Sequence, residues 1–237
     1  MNVAILTKII KETDKNWRFI FESPLYEKLE YVPGQLLQLV AKPGVDGSVV
    51  RNYSIASWPD GSNNFELVIT YLEGGHMSNY LFLEAEIGDE FLYRGPMGIF
   101  TLPQDIMNRD IMFVSTGSGV SPFRSMVNYL YDNDIKFKSI KLFFGTRTHK
   151  DILYRKEFEF LAKQMPNFEY IPVLSQEKKL GYKKGHVHEH YLNDIHVMDD
   201  KPLVYFCGWD RMVSEGRFHL DKLGFEMMKD IRVEIFG

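Results

Sequence analysis

Two hydrophobic rhythms, changing over near residues 103–109, constrain this chain more than any single motif. Up to about Pro103, apolar and polar residues alternate in short stretches at 3–11, 17–22, 35–41, 50–57, 65–72 and 90–94, separated by turn-forming residues. Strands this short, with a period of two, favour an antiparallel barrel or sandwich. One helix is expected at 76–83, after Gly74-Gly75. From Arg109 onward the candidate strands, at 111–115, 140–145, 170–174 and 203–207, become continuous apolar runs. Such runs belong to strands buried on both faces. Helix-length stretches at 122–131, 156–164, 187–193 and 210–223 follow them, giving an open parallel α/β sheet whose ligands lie at the carboxyl ends of its strands. The expected organisation is two domains, an antiparallel β-barrel over 1–104 and an α/β domain over 109–237.

Composition narrows the partners. Hydrophobic residues make up 45% and charged residues 25% of the chain, the proportions of an ordinary globular protein. The formal charge of −4 argues against nucleic acid, which needs clustered Lys and Arg. No run of about 18 apolar residues occurs, so no membrane span is expected. The first residues lack the charged head and apolar core of a signal peptide. Cys207 is the only cysteine, which excludes an intramolecular disulfide and suits a reducing, cytoplasmic compartment. One thiolate also cannot hold an iron-sulfur cluster.

Three short segments carry candidate chemistry. Thr116-Gly117-Ser118-Gly119-Val120-Ser121-Pro122 follows an apolar strand and opens a helix. Small residues there let the backbone N–H groups approach a pyrophosphate, and Pro122 fits the first turn because its missing donor would be orphaned anyway. In Arg51-Asn52-Tyr53-Ser54, the arginine can clamp a phosphate, the tyrosine can cover a flat ring, and the serine can hydrogen-bond a heteroatom at its edge. Cys207-Gly208 ends the last apolar run. Each alone has a plain structural reading: a tight turn, an exposed strand, a small buried hydrophobe. His186, His188 and His190 suggest a metal cluster, with His186 and His190 on one helix face, but no cysteine or carboxylate shell accompanies them, and no metal site is expected.

Together with Gly75-x-x-Ser78-x-Tyr80-Leu81, Gly95-Pro96-x-Gly98-x-Phe100, Gly145-x-Arg147 with Asp151 and Tyr154, Cys207-Gly208-x-x-x-Met212 and Glu234-x-Phe236, these segments resemble the ferredoxin-NADP reductase superfamily over nearly the whole chain. The resemblance implies an FAD-binding barrel followed by an NAD(P)-binding domain. It implies that Arg51 binds the FAD pyrophosphate, Tyr53 packs on the isoalloxazine and Ser54 contacts flavin N5, with Ile69, Gly75, Met77 and Ser78 completing the FAD site. For NADPH or NADH it implies Thr116, Gly117, Gly119, Pro122, Gly208 and Met212, with Arg147 and Ser175 toward the 2′-phosphate. Cys207 would border nicotinamide C4, Phe236 would stack on the flavin, and Glu234 would orient nicotinamide or relay protons.

Some positions depart from the pattern. Thr70 stands where many relatives have Lys or Arg, Trp209 replaces smaller residues, and Gln176 after Ser175 removes an arginine fork. Gly237 follows the aromatic that ends plant-type members. The implied activity is that of a ferredoxin/flavodoxin-NAD(P)+ reductase. Such an enzyme moves hydride between NAD(P)H and FAD and passes single electrons to or from a ferredoxin or flavodoxin, here as a monomer. The alternatives are a reductase of free flavin or ferric chelates and an electron-relay flavoprotein subunit of a larger complex.

Overall fold

The computed structural model describes residues 1–41 and 49–236. Six antiparallel strands come first: β1 (Asn2–Lys11), β2 (Asn16–Glu22), β3 (Leu36–Ala41), β4 (Val49–Ser54), β5 (Asn64–Thr70) and β6 (Glu90–Met97), with α1 (His76–Leu83) between the last two. They form one curled sheet, a half-barrel, in the order β4-β3-β6-β1-β2-β5. The alternation has a direct outcome. Ala4, Leu6, Phe19, Phe21, Leu37, Leu39, Phe65 and Leu67 turn inward to one core, which α1 closes with Met77 and Leu81.

The second half is a parallel sheet in the order β10-β9-β8-β7-β11-β12. Its elements are β7 (Asp110–Thr116), α2 (Ser121–Asp132), β8 (Ser139–Thr146), α3 (Arg155–Gln164), β9 (Phe168–Leu174), β10 (Lys183–Lys184), α4 (Val187–Ile195), β11 (Leu203–Trp209), α5 (Asp210–Lys222) and β12 (Ile231–Phe236). Continuous apolar runs are explained by two covered faces. Ile111, Phe113, Leu203, Tyr205 and Cys207 pack with Phe123 of α2 and Phe158 of α3. Their neighbours Met112, Val114, Val204 and Phe206 pack with Tyr191 of α4 and Val213 of α5.

The segment 231–236, for which no element is expected from the apolar rhythm, is β12, paired in parallel with β11 from Val204 opposite Ile231 to Trp209 opposite Phe236. Val233 packs among the apolar side chains on the α4/α5 face, and this burial together with the ladder to β11 fixes the segment. Gly237 lies outside the described residues. His186 is also not on the α4 face. It is the N-cap, in extended backbone, exchanging capping hydrogen bonds with Glu189. Among the described residues no His, Cys, Asp and Glu group is arranged to hold a metal.

Candidate functional site

The parallel sheet reverses its winding between β7 and β11, the switch point at which such sheets bind ligands. There the ends of β7, β11 and β12 face β4, β5 and α1 of the half-barrel, enclosing a cavity of about 330 Å³. Arg51, Tyr53, Ser54, Ile69, Gly75, Met77 and Ser78 line it from one half, and Thr116, Gly119, Gly208 and Phe236 from the other. Two larger concavities, beside Phe218 and Met227 and beside Arg18 and Tyr154, are lined by other residues.

Two helix starts converge on this cavity. Helix α1 begins at Gly75 with no side-chain cap and no acidic residue in its first turn, so its positive end is left for an anion. The Ser78 hydroxyl instead donates to the Leu72 carbonyl at 2.9 Å and accepts from the Leu72 N–H at 3.2 Å, bracing the preceding turn. A Cβ at Gly75 would lie 2.7 Å from that hydroxyl. Helix α2 likewise starts without a side-chain cap or first-turn acid, with Pro122 in its first turn. Before it, Gly117 to Val120 form a 3-10 turn, in which Gly117 has φ +55° and a Cβ on Gly119 would meet the Cys207 carbonyl oxygen at 2.2 Å. Glycine is required there so that the turn can lie against β11.

Ser54 ends β4 almost fully buried, and its hydroxyl donates to Glu234 of β12. Burial pushes the Glu234 carboxyl up to about 7, with the Ser54 hydrogen bond opposing. Glu234 stands opposite Cys207 in the β11/β12 ladder. The fully buried Cys207 thiol is raised well above its ordinary value, by desolvation first and by the Glu234 charge second. Met212, nearly buried in the first turn of α5, packs against Gly208. Arg51 is exposed at the rim, donating to the Val50 carbonyl at 2.8 Å. Tyr53 rests on the half-barrel core.

Arg147 and Ser175 lie apart from this cavity, at the ends of β8 and β9. The Ser175 hydroxyl donates to the Thr146 carbonyl at 3.2 Å, and Gln176 N–H donates to the Arg147 carbonyl at 3.0 Å. Close by in sequence, the Glu177 carboxylate accepts from His149 N–H at 2.8 Å. Sequence reasoning missed Asn16, and it named Ser118 and Trp209 without assigning either a contact in the site. Thr70, the departure from pattern, donates to Asn16 Oδ1 at 2.7 Å and accepts from the Ser118 hydroxyl at 3.2 Å, joining the two halves. Trp209 lines the cavity beside Phe236, a position signalled only by its unusual size.

The residues present fit a dinucleotide with a flat ring system. Apolar walls from Val68, Ile69, Met77 and Phe236 flank Tyr53, and uncapped helix starts with Arg51 supply the donors a pyrophosphate needs.

A family model described as the oxidoreductase FAD-binding domain matches residues 4–102, and one described as the oxidoreductase NAD-binding domain matches 113–217. Ferredoxin-NADP reductase B of Sorangium cellulosum is 39% identical over 187 residues, covering 76% of this chain and 75% of that protein. The anthranilate 1,2-dioxygenase electron transfer component of Acinetobacter baylyi is 29% identical over 197 residues, 83% of this chain but only 55% of that protein. In structure, a ferredoxin NADP+ reductase from Neisseria gonorrhoeae, crystallised with bound FAD and NADP, superposes with a TM-score of 0.85 at 20% identity, covering 98% of this chain and 97% of that one. Matched along both halves and by a relative of this kind, the chain belongs to the ferredoxin reductase superfamily, as an oxidoreductase with an FAD-binding and an NAD-binding domain.

Proposed function

We propose that the protein is a ferredoxin/flavodoxin-NAD(P)+ reductase, with an FAD domain over 1–104 and a nicotinamide nucleotide domain over 109–237. The observation that carries this reading is the Ser54 to Glu234 hydrogen bond beside buried Cys207. A hydroxyl suited to flavin N5, a carboxyl with a raised pKa and a thiol suited to nicotinamide C4 stand close together at the meeting of the two halves, and this supports the reading. When bound, FAD supplies the conversion between two-electron hydride transfer and one-electron steps.

The chain's residues bind, align and exclude water. Arg51 and the α1 start, with Gly75, Met77 and Ser78, hold the FAD pyrophosphate; Tyr53 and Ile69 flank the isoalloxazine. Thr116, Gly117, Gly119, Pro122, Gly208 and Met212 receive the nicotinamide nucleotide. Phe236 covers the ring face until nicotinamide displaces it, and Glu234 holds a proton beside Ser54. Arg147 and Ser175 face the 2′ end of the adenosine. The missing arginine fork and the Glu177 carboxylate support use of both NADPH and NADH, with only modest preference for the former.

The relative of Sorangium, a ferredoxin-NADP reductase by name, supports a ferredoxin or flavodoxin as the acceptor. A second reading, a reductase component serving an oxygenase, is favoured by the Acinetobacter relative, of which this chain spans about half. The test is anaerobic reduction by NADPH or NADH followed by mixing with ferredoxin, flavodoxin, a ferredoxin-type oxygenase component, free FMN and a ferric chelate. Fast reduction of ferredoxin or flavodoxin is expected. Turnover confined to free FMN or the chelate would replace the reading by a free-flavin or ferric reductase, and failure of both nucleotides to bleach the flavin would leave only an electron relay.

A further inference from the structure

A network of charged side chains away from the cavity ties the two halves together. Arg124 of α2 is 5% exposed and Glu66 of β5 is 6% exposed. From Arg124, Nη1 donates to Glu66 Oε1 at 3.2 Å and to the Ala56 carbonyl at 2.9 Å. Its other edge grips Glu157 of α3, with Nε to Oε1 at 2.8 Å and Nη2 to Oε2 at 3.0 Å. Glu66 is held in turn by Arg18 of β2, at 2.9 and 2.7 Å, and by the Tyr154 hydroxyl. The Arg124 guanidinium lies 4.1 Å from the Tyr154 ring centroid.

The position of Arg124 along the chain gives the network its meaning. Helix α2 begins directly at the Thr116 to Pro122 turn, so Arg124 is attached to that turn by one helical turn of backbone. Ala56, whose N–H donates to the Glu66 carbonyl at 2.8 Å, lies two residues beyond Ser54. One guanidinium therefore connects the nucleotide turn to the strand end that carries Ser54. Burying such charges adds little net stability, because desolvation offsets the attraction. A planar fork fixes direction as well as distance, which an apolar contact does not.

We propose that Arg124 is a positioning residue for hydride transfer, setting the separation of the nucleotide turn from Ser54 through Ala56 and Glu66. It touches neither cavity nor ligand. The idea rests on the reading of Ser54 and the Thr116 to Pro122 turn as the two sides of the transfer site. A displacement of about 1 Å at such a site costs on the order of a hundredfold in rate.

The test uses the whole FAD-loaded protein with Arg124→Lys, which keeps the charge and loses the fork, and Glu157→Gln, which loosens the partly exposed arm. FAD content, nucleotide Kd and the limiting rate of flavin reduction are measured for each. For Arg124→Lys the expected result is full FAD content, Kd within about threefold of wild type, a limiting rate lowered at least about tenfold and a weaker long-wavelength charge-transfer band. Glu157→Gln should lower the limiting rate by about threefold, and it decides the matter if Arg124→Lys fails to fold. A folded, FAD-loaded Arg124→Lys with the wild-type limiting rate would overturn the proposal while leaving the site reading intact; so would a wild-type rate in Glu157→Gln if that variant alone folds. Failure of both nucleotides to reduce the wild type would instead sink the site reading, and the positioning role with it.

Discussion

At the scale of single residues, Glu234 concentrates the most chemistry. Its carboxyl sits at about 7 when folded, against 4.5 ordinarily, because burial disfavours its charge. The folded protein thus holds a proton that the unfolded chain releases above pH 4.5. Stability contributed at this position falls as pH rises from about 4.5 to 7 and levels off above. The limiting rate of flavin reduction should show an inflection near pH 7 that Glu234→Gln removes; an inflection that survives in the variant would assign it to another group. At the cavity rim, Arg51→Ala should weaken FAD retention about tenfold or more, as loss of charge-assisted hydrogen bonds worth ~1.5–3 kcal/mol implies. Equilibrium dialysis of FAD against both proteins checks this. Both residues were legible in the sequence as members of short motifs. The contacts of Ser118 and Asn16 with Thr70 were not, because Thr70 lies far from each in sequence and only folding brings them together.

At the scale of elements, the rhythm of apolar residues was sufficient for all but two strands. Short β10 has only Lys183 and Lys184, so no hydrophobic signal marks it. β12 was hidden because its sequence, Ile-Arg-Val-Glu-Ile-Phe, carries Glu234 and Phe236 in a motif whose functional reading drew attention from its alternation. Parallel pairing with β11 fixes where Phe236 stands. Replacing Phe236 by Ser should therefore leave β12 in place while exposing the ring face. With a stacking contribution of about 0.5–1.5 kcal/mol removed, oxidised nucleotide should bind up to about tenfold more tightly and turnover should fall. Nucleotide titrations followed through the flavin spectrum measure it; unchanged affinity would show that Phe236 does not cover the ring.

At the scale of the whole molecule, the two halves share polar contacts that a pair of loosely tethered domains would lack. Besides Arg124 and Thr70, Tyr205 donates to the Thr101 carbonyl at 2.8 Å and Trp58 donates to Asp132 at 2.6 Å. None of these was visible in composition or periodicity, since each depends on how the halves meet. They predict a single cooperative unfolding transition, with near-ultraviolet dichroism and flavin fluorescence changing together. Added FAD at a hundred times its Kd should stabilise the whole by about 2.7 kcal/mol. Two separated transitions would show that the halves unfold independently.

The buried thiol also offers a probe of the fold's opening. Cys207, the chain's only cysteine, is wholly enclosed between β7 and β12, so an alkylating reagent can reach it only when that part of the sheet opens. Its labelling rate becomes a clock for opening events at the centre of the molecule, readable by mass as a single added adduct, and a nucleotide seated at the β11 end should slow the clock by holding that end of the sheet closed.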